Sequence, residues 1–435
     1  MYRLKPGFMR KLLNIERGEI AQSLLAVSFF FCVLAALMVL RPARDALGMG
    51  RGMDQVRWLF LGTTLVTLLV NPIFGWLVSH YQRMQIVRAS YGFFALSLLV
   101  FYLLLTQSPG SIGARSGETF YVWFSVFNFF ATMLFWALMS DRFTLAQSKR
   151  LFPLIATGGT LGAIVGPWLA SVLAEPFGTP SLLLVSVLFL LFAVIFAGLL
   201  NRTPANAALV TGQIEPTDPL PAEPLIGGSA WAGVRELMRS RYLLAISGYV
   251  LILSVIVTFM YFTRLQMVAG LADQLDQRTA LLARMDLYTQ MATLVLQLLV
   301  SGHLIRRFGM ASTLALLPIT AAIGFFGLAI LGSITALIAF ESVFRAVQRA
   351  VMRPARETLF TVLSREQKYK AKAVIDTFIY RSGDVIGAQT EGLLANLGLG
   401  LYALAGATVP LAAVWVALSV WLGREQQRSA HNGHN

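Results

Sequence analysis

The chain has 435 residues, of which 57% are hydrophobic and only 13% charged, with a formal net charge of +14 and a single cysteine, Cys32. Soluble domains average roughly 25% charged residues, so this composition excludes a soluble globular fold, and one cysteine excludes an intrachain disulfide. The positive charge reads as the Lys/Arg excess of a membrane protein's cytoplasmic loops, and no nucleic-acid partner is expected.

Apolar runs of about 20 residues, each able to cross a ~30 Å hydrocarbon core, recur from Ile20 to Leu422. They lack the alternation of barrel strands, so they predict helices. In chain order the spans are 19–41, 56–78, 86–106, 118–140, 151–174, 180–200, 243–265, 280–302, 310–332, 335–353, 372–396 and 400–422. This is an all-α integral membrane fold with twelve transmembrane helices in two six-helix bundles. The expected organisation is a cytoplasmic N-terminal segment (1–18), a first bundle (19–200), a cytoplasmic linker (201–242), a second bundle (243–422) and a cytoplasmic tail (423–435). Pro204, Pro216, Pro219, Pro221 and Pro224 mark the linker. Lys and Arg gather on the side of both termini, which predicts cytoplasmic termini. The basic run Arg365, Lys368, Lys370 and Lys372 falls on that side too. The basic N-terminus meets an apolar run longer than a signal peptide's core, so an uncleaved first span is expected.

Chemistry-bearing residues interrupt the apolar runs at a few places. The first span ends in Arg41-Pro-Ala-Arg44-Asp45, either the mouth of a substrate cavity or a solvated helix end. Asn71-Pro72 predicts a bend in the second span. In the fourth, Tyr121, Trp123, Asn128 and Trp136 suit either stacking on a base or sugar, or packing. In the fifth, Gly158, Gly162 and Gly166 recur every four residues before Pro167, a smooth stripe for close helix approach. That stripe reads as static packing, as a sliding contact during alternating access, or as both.

The eighth span carries Asp286, Thr289, Gln290, Thr293 and Gln297 at helical spacing, lining a water path or bonding a neighbouring helix. The tenth carries Glu341, Arg345, Arg349 and Arg353 along one slowly drifting stripe, with Glu341 placed to pair with Arg345. The eleventh carries Asp376, Arg381, Asp384 and Glu391, with Arg381 and Asp384 a possible internal pair. Charge inside a membrane is costly and usually faces an aqueous cavity. The arginines therefore read as an anion site or as partners of carboxylates on another helix. The carboxylates read as coupling or gating groups or as structural ion pairs. The four histidines show no zinc spacing, and no metal or cofactor is expected. Walker, HExxH, GxSxG and dinucleotide-binding patterns are absent from the sequence, so no catalytic group is assigned.

The halves echo one another. Arg142-Phe-Thr-Leu145 matches Arg356-Glu-Thr-Leu359, and Gly158-Gly-Thr-Leu-Gly162 matches Gly383-Asp-Val-Ile-Gly387. Two six-helix halves with such echoes resemble the major facilitator layout. The Gly158–Pro167 run resembles the glycine-proline signature on the fifth helix of facilitator antiporters.

Three further stretches resemble the ATP/ADP translocase family of nucleotide antiporters. They are Leu40-Arg41-Pro-Ala-Arg44-Asp45-Ala-Leu47; Phe120-Tyr-Val-Trp through Phe135-Trp136 with Lys149-Arg-Leu-Phe and the glycine run; and Lys370-Ala-Lys-Ala-Val-Ile-Asp376 with Arg381-Ser-Gly383. The resemblance implies a twelve-helix facilitator fold and exchange of phosphorylated nucleotides. It implies nucleotide contact by basic residues of helices 1 and 11, whose places Arg44 and Arg381 fill. The family's acidic place on helix 4 falls near the uncharged Ser125, and Asp286 is the candidate on helix 8.

The expected function is secondary active transport of a small organic anion by alternating access, with nucleotides or phosphorylated metabolites as candidates. A proton-coupled exporter or lipid-like solute transporter on the same fold is the alternative, and a membrane enzyme or receptor a remote one. Arg41, Arg44, Asp45, Asn128, Arg345, Arg349 and Arg381 are the expected substrate contacts. Glu341, Asp376, Asp384, Glu391 and Asp286 are the expected coupling or gating groups. The expected setting is a bacterial inner membrane, with the chain acting as a monomer.

Overall fold

A computed structural model describes residues 19–107, 110–203, 230–300, 303–363, 367, 371–372 and 374–432. Among them there is no strand. The helices are α1 (Ile20–Gly48), α2 (Met53–His80), α3 (Arg83–Gln107), α4 (Ser111–Arg142), α5 (Leu145–Phe177), α6 (Ser181–Arg202), a short α7 (Ala230–Arg239), α8 (Arg241–Leu271), α9 (Leu275–Val300), α10 (His303–Leu331), α11 (Ile334–Val347), α12 (Arg353–Leu359), α13 (Tyr380–Asn396) and α14 (Gly400–Asn432). A π-helical turn, Gln348–Met352, joins α11 to α12, and a second, Ile375–Ile379, leads into α13. Counting each of these joined stretches as one segment, the described residues form twelve long helical segments, the fold of a twelve-helix membrane protein. The N-terminal segment 1–18, most of the 201–242 linker, Arg365, Lys368 and Lys370 lie outside the described residues.

Nine of the helices are long and apolar enough to span a bilayer, among the described residues. The others are α9, the α11–α12 stretch and α13. These three carry Asp286 and Gln290, the Glu341–Arg353 row, and Asp384 with Glu391. Polar chemistry is thus concentrated in three helices that dilute their apolar surface to carry it.

The chain divides into two compact units, 1–220 with 272–287, and 221–271 with 288–435. In the first, α1 is the buried axis, and α4, α5 and α6 pack around it. Phe29, Phe30, Phe135 and Trp136 form a ring cluster, with Phe30 stacked on Phe135 at 4.1 Å between centroids. Cys32 is buried in this core. Tyr91 and Ser186 hydroxyls donate to the carbonyls of Ala131 and Ala36, at 3.0 and 2.9 Å, which satisfies polar groups that would otherwise be costly in an apolar interior. Leucines and phenylalanines such as Leu65, Leu69, Phe93 and Leu188 point outward, as expected where the surroundings are lipid.

The glycine stripe explains the closest contact. A Cβ at Gly158 or Gly162 would meet the Val27 or Phe31 carbonyl of α1 at less than van der Waals separation. At Gly166 it would lie 2.8 Å from Met38 Cβ and from Val39 N. Only hydrogen fits there, so α5 lies directly on the α1 backbone. Thr144 caps α5 through a reciprocal bond with Gln147, whose amide also donates to buried Glu19 at 2.8 Å. Arg150 pairs with the same Glu19 at 3.0 Å and fixes the start of α5 beside α1.

The first half of α9 belongs to the first unit, although the sequence boundaries place it in the second bundle. The contacts responsible are polar: Asp276 accepts the Thr179 backbone N–H at 2.6 Å, and the Thr179 hydroxyl donates to Thr279 at 2.9 Å. In the second unit α8 packs on α13, and α10 on α14. A Cβ at Gly383 would lie 2.8 Å from the Leu251 carbonyl, and one at Gly387 would lie 2.9 Å from Thr258 Cβ. The glycines that echo each other in sequence therefore occupy equivalent interfaces, α5 on α1 and α13 on α8.

Candidate functional site

In the first unit, the helix of Arg41 does not end there. Leu40 to Gly48 continue the same buried helix, so Arg44 and Asp45 sit within it rather than on a solvated end. Asp45 is fully buried and accepts from Arg44 Nε at 2.9 Å. The Arg44 guanidinium also lies 4.5 Å from the centre of the Tyr121 ring, a cation–π contact. Arg41 pairs at 3.8 Å with Asp286, itself 2% exposed. Further along, Arg51 pairs with Glu118 at 3.2 Å. Asn128 stands apart on α4, exposed, with its carbonyl accepting from the Thr132 hydroxyl.

The second unit holds a deeper cluster. Glu341 on α11 accepts from Arg345 Nε at 2.7 Å and from Arg264 on α8 at 3.2 Å. All three are buried, Arg264 completely. One carboxylate therefore holds two guanidiniums in an interior where each charge costs roughly 2.5–3.5 kcal/mol to insert unpaired. One turn on, Arg349 donates to the neutral side-chain amide of Gln290. Arg264 is the residue that sequence reasoning missed. The signal was present: an arginine late in α8, among apolar residues at membrane depth.

Asp384, in α13, is buried and accepts from the Ser254 hydroxyl at 2.5 Å, the Thr258 hydroxyl at 3.4 Å and Arg381 at 3.1 Å. Glu391, about two turns further on, accepts from Gln266 of α8. Three carboxylates of this unit, Glu341, Asp384 and Glu391, thus find partners on α8.

Arg353 leaves the stripe that its spacing suggests. The π-turn Gln348–Met352 holds one residue more than α-helical geometry, which rotates the residues beyond it by roughly 100°. Arg353 and Arg356 accordingly line a different space, a cavity of ≈ 450 Å³ closed on its other side by Asp376, Tyr380 and Arg381 from around the second π-turn. Arg356 pairs with Asp376 at 3.2 Å and Glu357 at 3.6 Å. Lys372 hydrogen-bonds Glu357 as well. Partial burial opposes ionisation of Glu357, but the Lys372 bond and charge, with those of Arg356, hold its carboxyl below the usual carboxylate range.

Known proteins place this architecture. Residues 20–348 match the profile of the Major Facilitator Superfamily. The chain is 23% identical to ADP,ATP carrier protein 1 of Chlamydia trachomatis, over 96% of this chain and 90% of that one. It is equally 23% identical to ADP,ATP carrier protein 2 of Chlamydia pneumoniae, over 92% and 86%. Among solved structures, the nucleoside transporter NupG aligns with a TM-score of 0.62 at 13% identity, covering 93% of this chain and 99% of that one. A bacterial homolog of the human lysosomal transporter Spinster aligns with a TM-score of 0.58 at 14% identity, covering 98% and 99%.

Proposed function

The chain belongs to the major facilitator superfamily, and from that premise we propose that it is a secondary transporter exchanging nucleotide-like organic anions across a bacterial inner membrane, with both termini cytoplasmic. The observation that carries the anionic reading is the set of guanidiniums on α8, α11 and the π-turn that follows α11. There Arg264 and Arg345 share one glutamate, and Arg349, one turn on, binds the Gln290 amide. A guanidinium keeps its charge at any working pH, and its planar fork suits the paired oxygens of phosphate or carboxylate. Similarity to ADP,ATP carriers and to the sequence motifs of that family supports a nucleotide as the solute. Arg41, Arg44, Asp45 and Asn128 are the contacts proposed from the first unit, and Arg381 from α13. Asp286, Asp376 and Glu391 remain candidate gating groups.

The test is counterflow in proteoliposomes preloaded with ADP and offered labelled ATP. Arg349→Ala should lower the rate by at least about tenfold, the loss of one charge-assisted bond. Arg349→Lys, which keeps the charge but not the fork, should fall between that and the parent. Parental rates from Arg349→Ala would remove Arg349 from the site.

Proton coupling is a second reading, favoured by Asp384, a buried carboxylate ringed by two hydroxyls and one guanidinium. If it carries the coupling proton, Asp384→Asn should leave exchange between like solutes measurable and flatten the pH dependence of net uptake over the range from about pH 5 to about 8. Uptake by Asp384→Asn with an unaltered pH profile would assign Asp384 to helix packing instead.

A further inference from the structure

Two π-helical turns in one unit face the same cavity. Gln348–Met352 delivers Arg353 to it, and Ile375–Ile379 delivers Asp376, with Tyr380 and Arg381 in the next turn. Single π-turns are rare and concentrate at functional sites. The volume, ≈ 450 Å³, falls within the ~300–1,000 Å³ typical of small-molecule sites.

The charges are unevenly matched. Three guanidiniums line the space against two carboxylates, Glu357 and Asp376. Asp376 is engaged by Arg356, Glu357 by Arg356 and Lys372, and Arg381 by Asp384. Arg353 forms no ion pair among the described residues, and its side chain is exposed. The cavity therefore offers one uncommitted fork beside two partly committed ones and the Tyr380 ring.

We infer that this cavity binds a phosphoryl group, with Arg353 as its primary contact and Arg356 and Arg381 closing over the remaining oxygens. Two or three forks converging on one small space match the tetrahedral oxygens of phosphate better than the planar pair of a carboxylate. The site lies beyond the π-turn from Arg345, and neither Arg345 nor Arg349, which sits within the turn, lines it. The inference stands apart from the identity of the transported solute, because the group can come from the phosphate chain of a dissolved solute or from a lipid headgroup.

The experiment uses the full chain in neutral detergent, with inorganic pyrophosphate as the probe and thermal unfolding and titration calorimetry as readouts. Pyrophosphate should stabilise the parent. Arg353→Ala should weaken its binding roughly tenfold or more, and Arg353→Lys by less, while Arg349→Ala still binds it. Unliganded unfolding temperatures equal to the parent's would show that the exposed Arg353 can be replaced without misfolding. If pyrophosphate is silent but phosphatidylglycerol in mixed micelles stabilises the parent and not Arg353→Ala, the phosphoryl group is a lipid's and the site stands. If neither ligand stabilises the parent, or if stabilisation survives in Arg353→Ala, the inference is overturned. Nucleotide exchange with neither ligand bound would sink this site and leave the transport reading intact; pyrophosphate binding lost in Arg353→Ala without nucleotide exchange would do the reverse.

Discussion

A leucine at position 162 is expected to abolish transport while leaving the chain in the membrane. Gly162 lies on the backbone of α1, where even a Cβ would press on the Phe31 carbonyl and stand 2.9 Å from the Ala35 amide nitrogen. Side chains yield to overpacking at about 1–3 kcal/mol; helix backbone has no rotamer to change, so α5 must move off α1. The bonds from Gln147 and Arg150 to buried Glu19 hold the start of that same pair and resist the shift. Gly406→Leu is the control, because nothing lies within 4 Å of a Cβ built there. Counterflow by Gly162→Leu should fall below about one per cent of the parent, given a penalty of at least ~3 kcal/mol on the packed state. Membrane yield should stay within a few-fold of the Gly406→Leu protein. Near-parental counterflow would mean that the α1–α5 contact is dispensable.

Replacing Glu341 by glutamine should be nearly as damaging, and for an electrostatic reason. The swap preserves volume and removes one charge. It leaves Arg264 and Arg345 facing each other across a neutral amide inside the protein. Breaking a buried ion pair by removing one partner costs about 3–5 kcal/mol, most of it the penalty on the charge left behind. Uptake should drop by at least about a hundredfold, with a lowered unfolding temperature in detergent. A compensating Arg264→Gln in the Glu341→Gln background should recover part of the stability, because the number of buried charges falls again. Parental stability in Glu341→Gln would show that the triad is not energetically coupled.

Length and polarity carried most of the fold. Twelve helical segments and the echoed glycines were legible because membrane burial imposes them on composition directly. Helix ends were harder to read. Pro42 and Arg44 suggest an end to α1, yet the helix runs on to Gly48, because Asp45 and Tyr121 shelter the Arg44 charge. The site was legible only in part. Glu341–Arg345 and Arg381–Asp384 follow from spacing within one helix. The α8 residues Ser254, Thr258, Arg264 and Gln266 do not, because their role is defined by the helices they touch, and no local pattern records a partner so far along the chain. The π-turn was invisible for a different reason: a sequence period of four cannot show that one turn holds an extra residue.

That extra residue behaves as a dislocation does in a crystal. In the α11–α12 stretch α-helix runs on both sides of a single defect, and the second defect leads directly into α13. Moving the defect by one position exchanges one hydrogen bond for another and swings the residue it passes by roughly 100°. A rod with such a fault can turn one side chain from one compartment toward another without bending and without sliding along its neighbours. In the α11–α12 stretch Arg345 precedes the fault, Arg349 lies within it and Arg353 follows it directly, so a shift of the defect past Arg353 would turn that charge away from the cavity of Arg356 and Asp376.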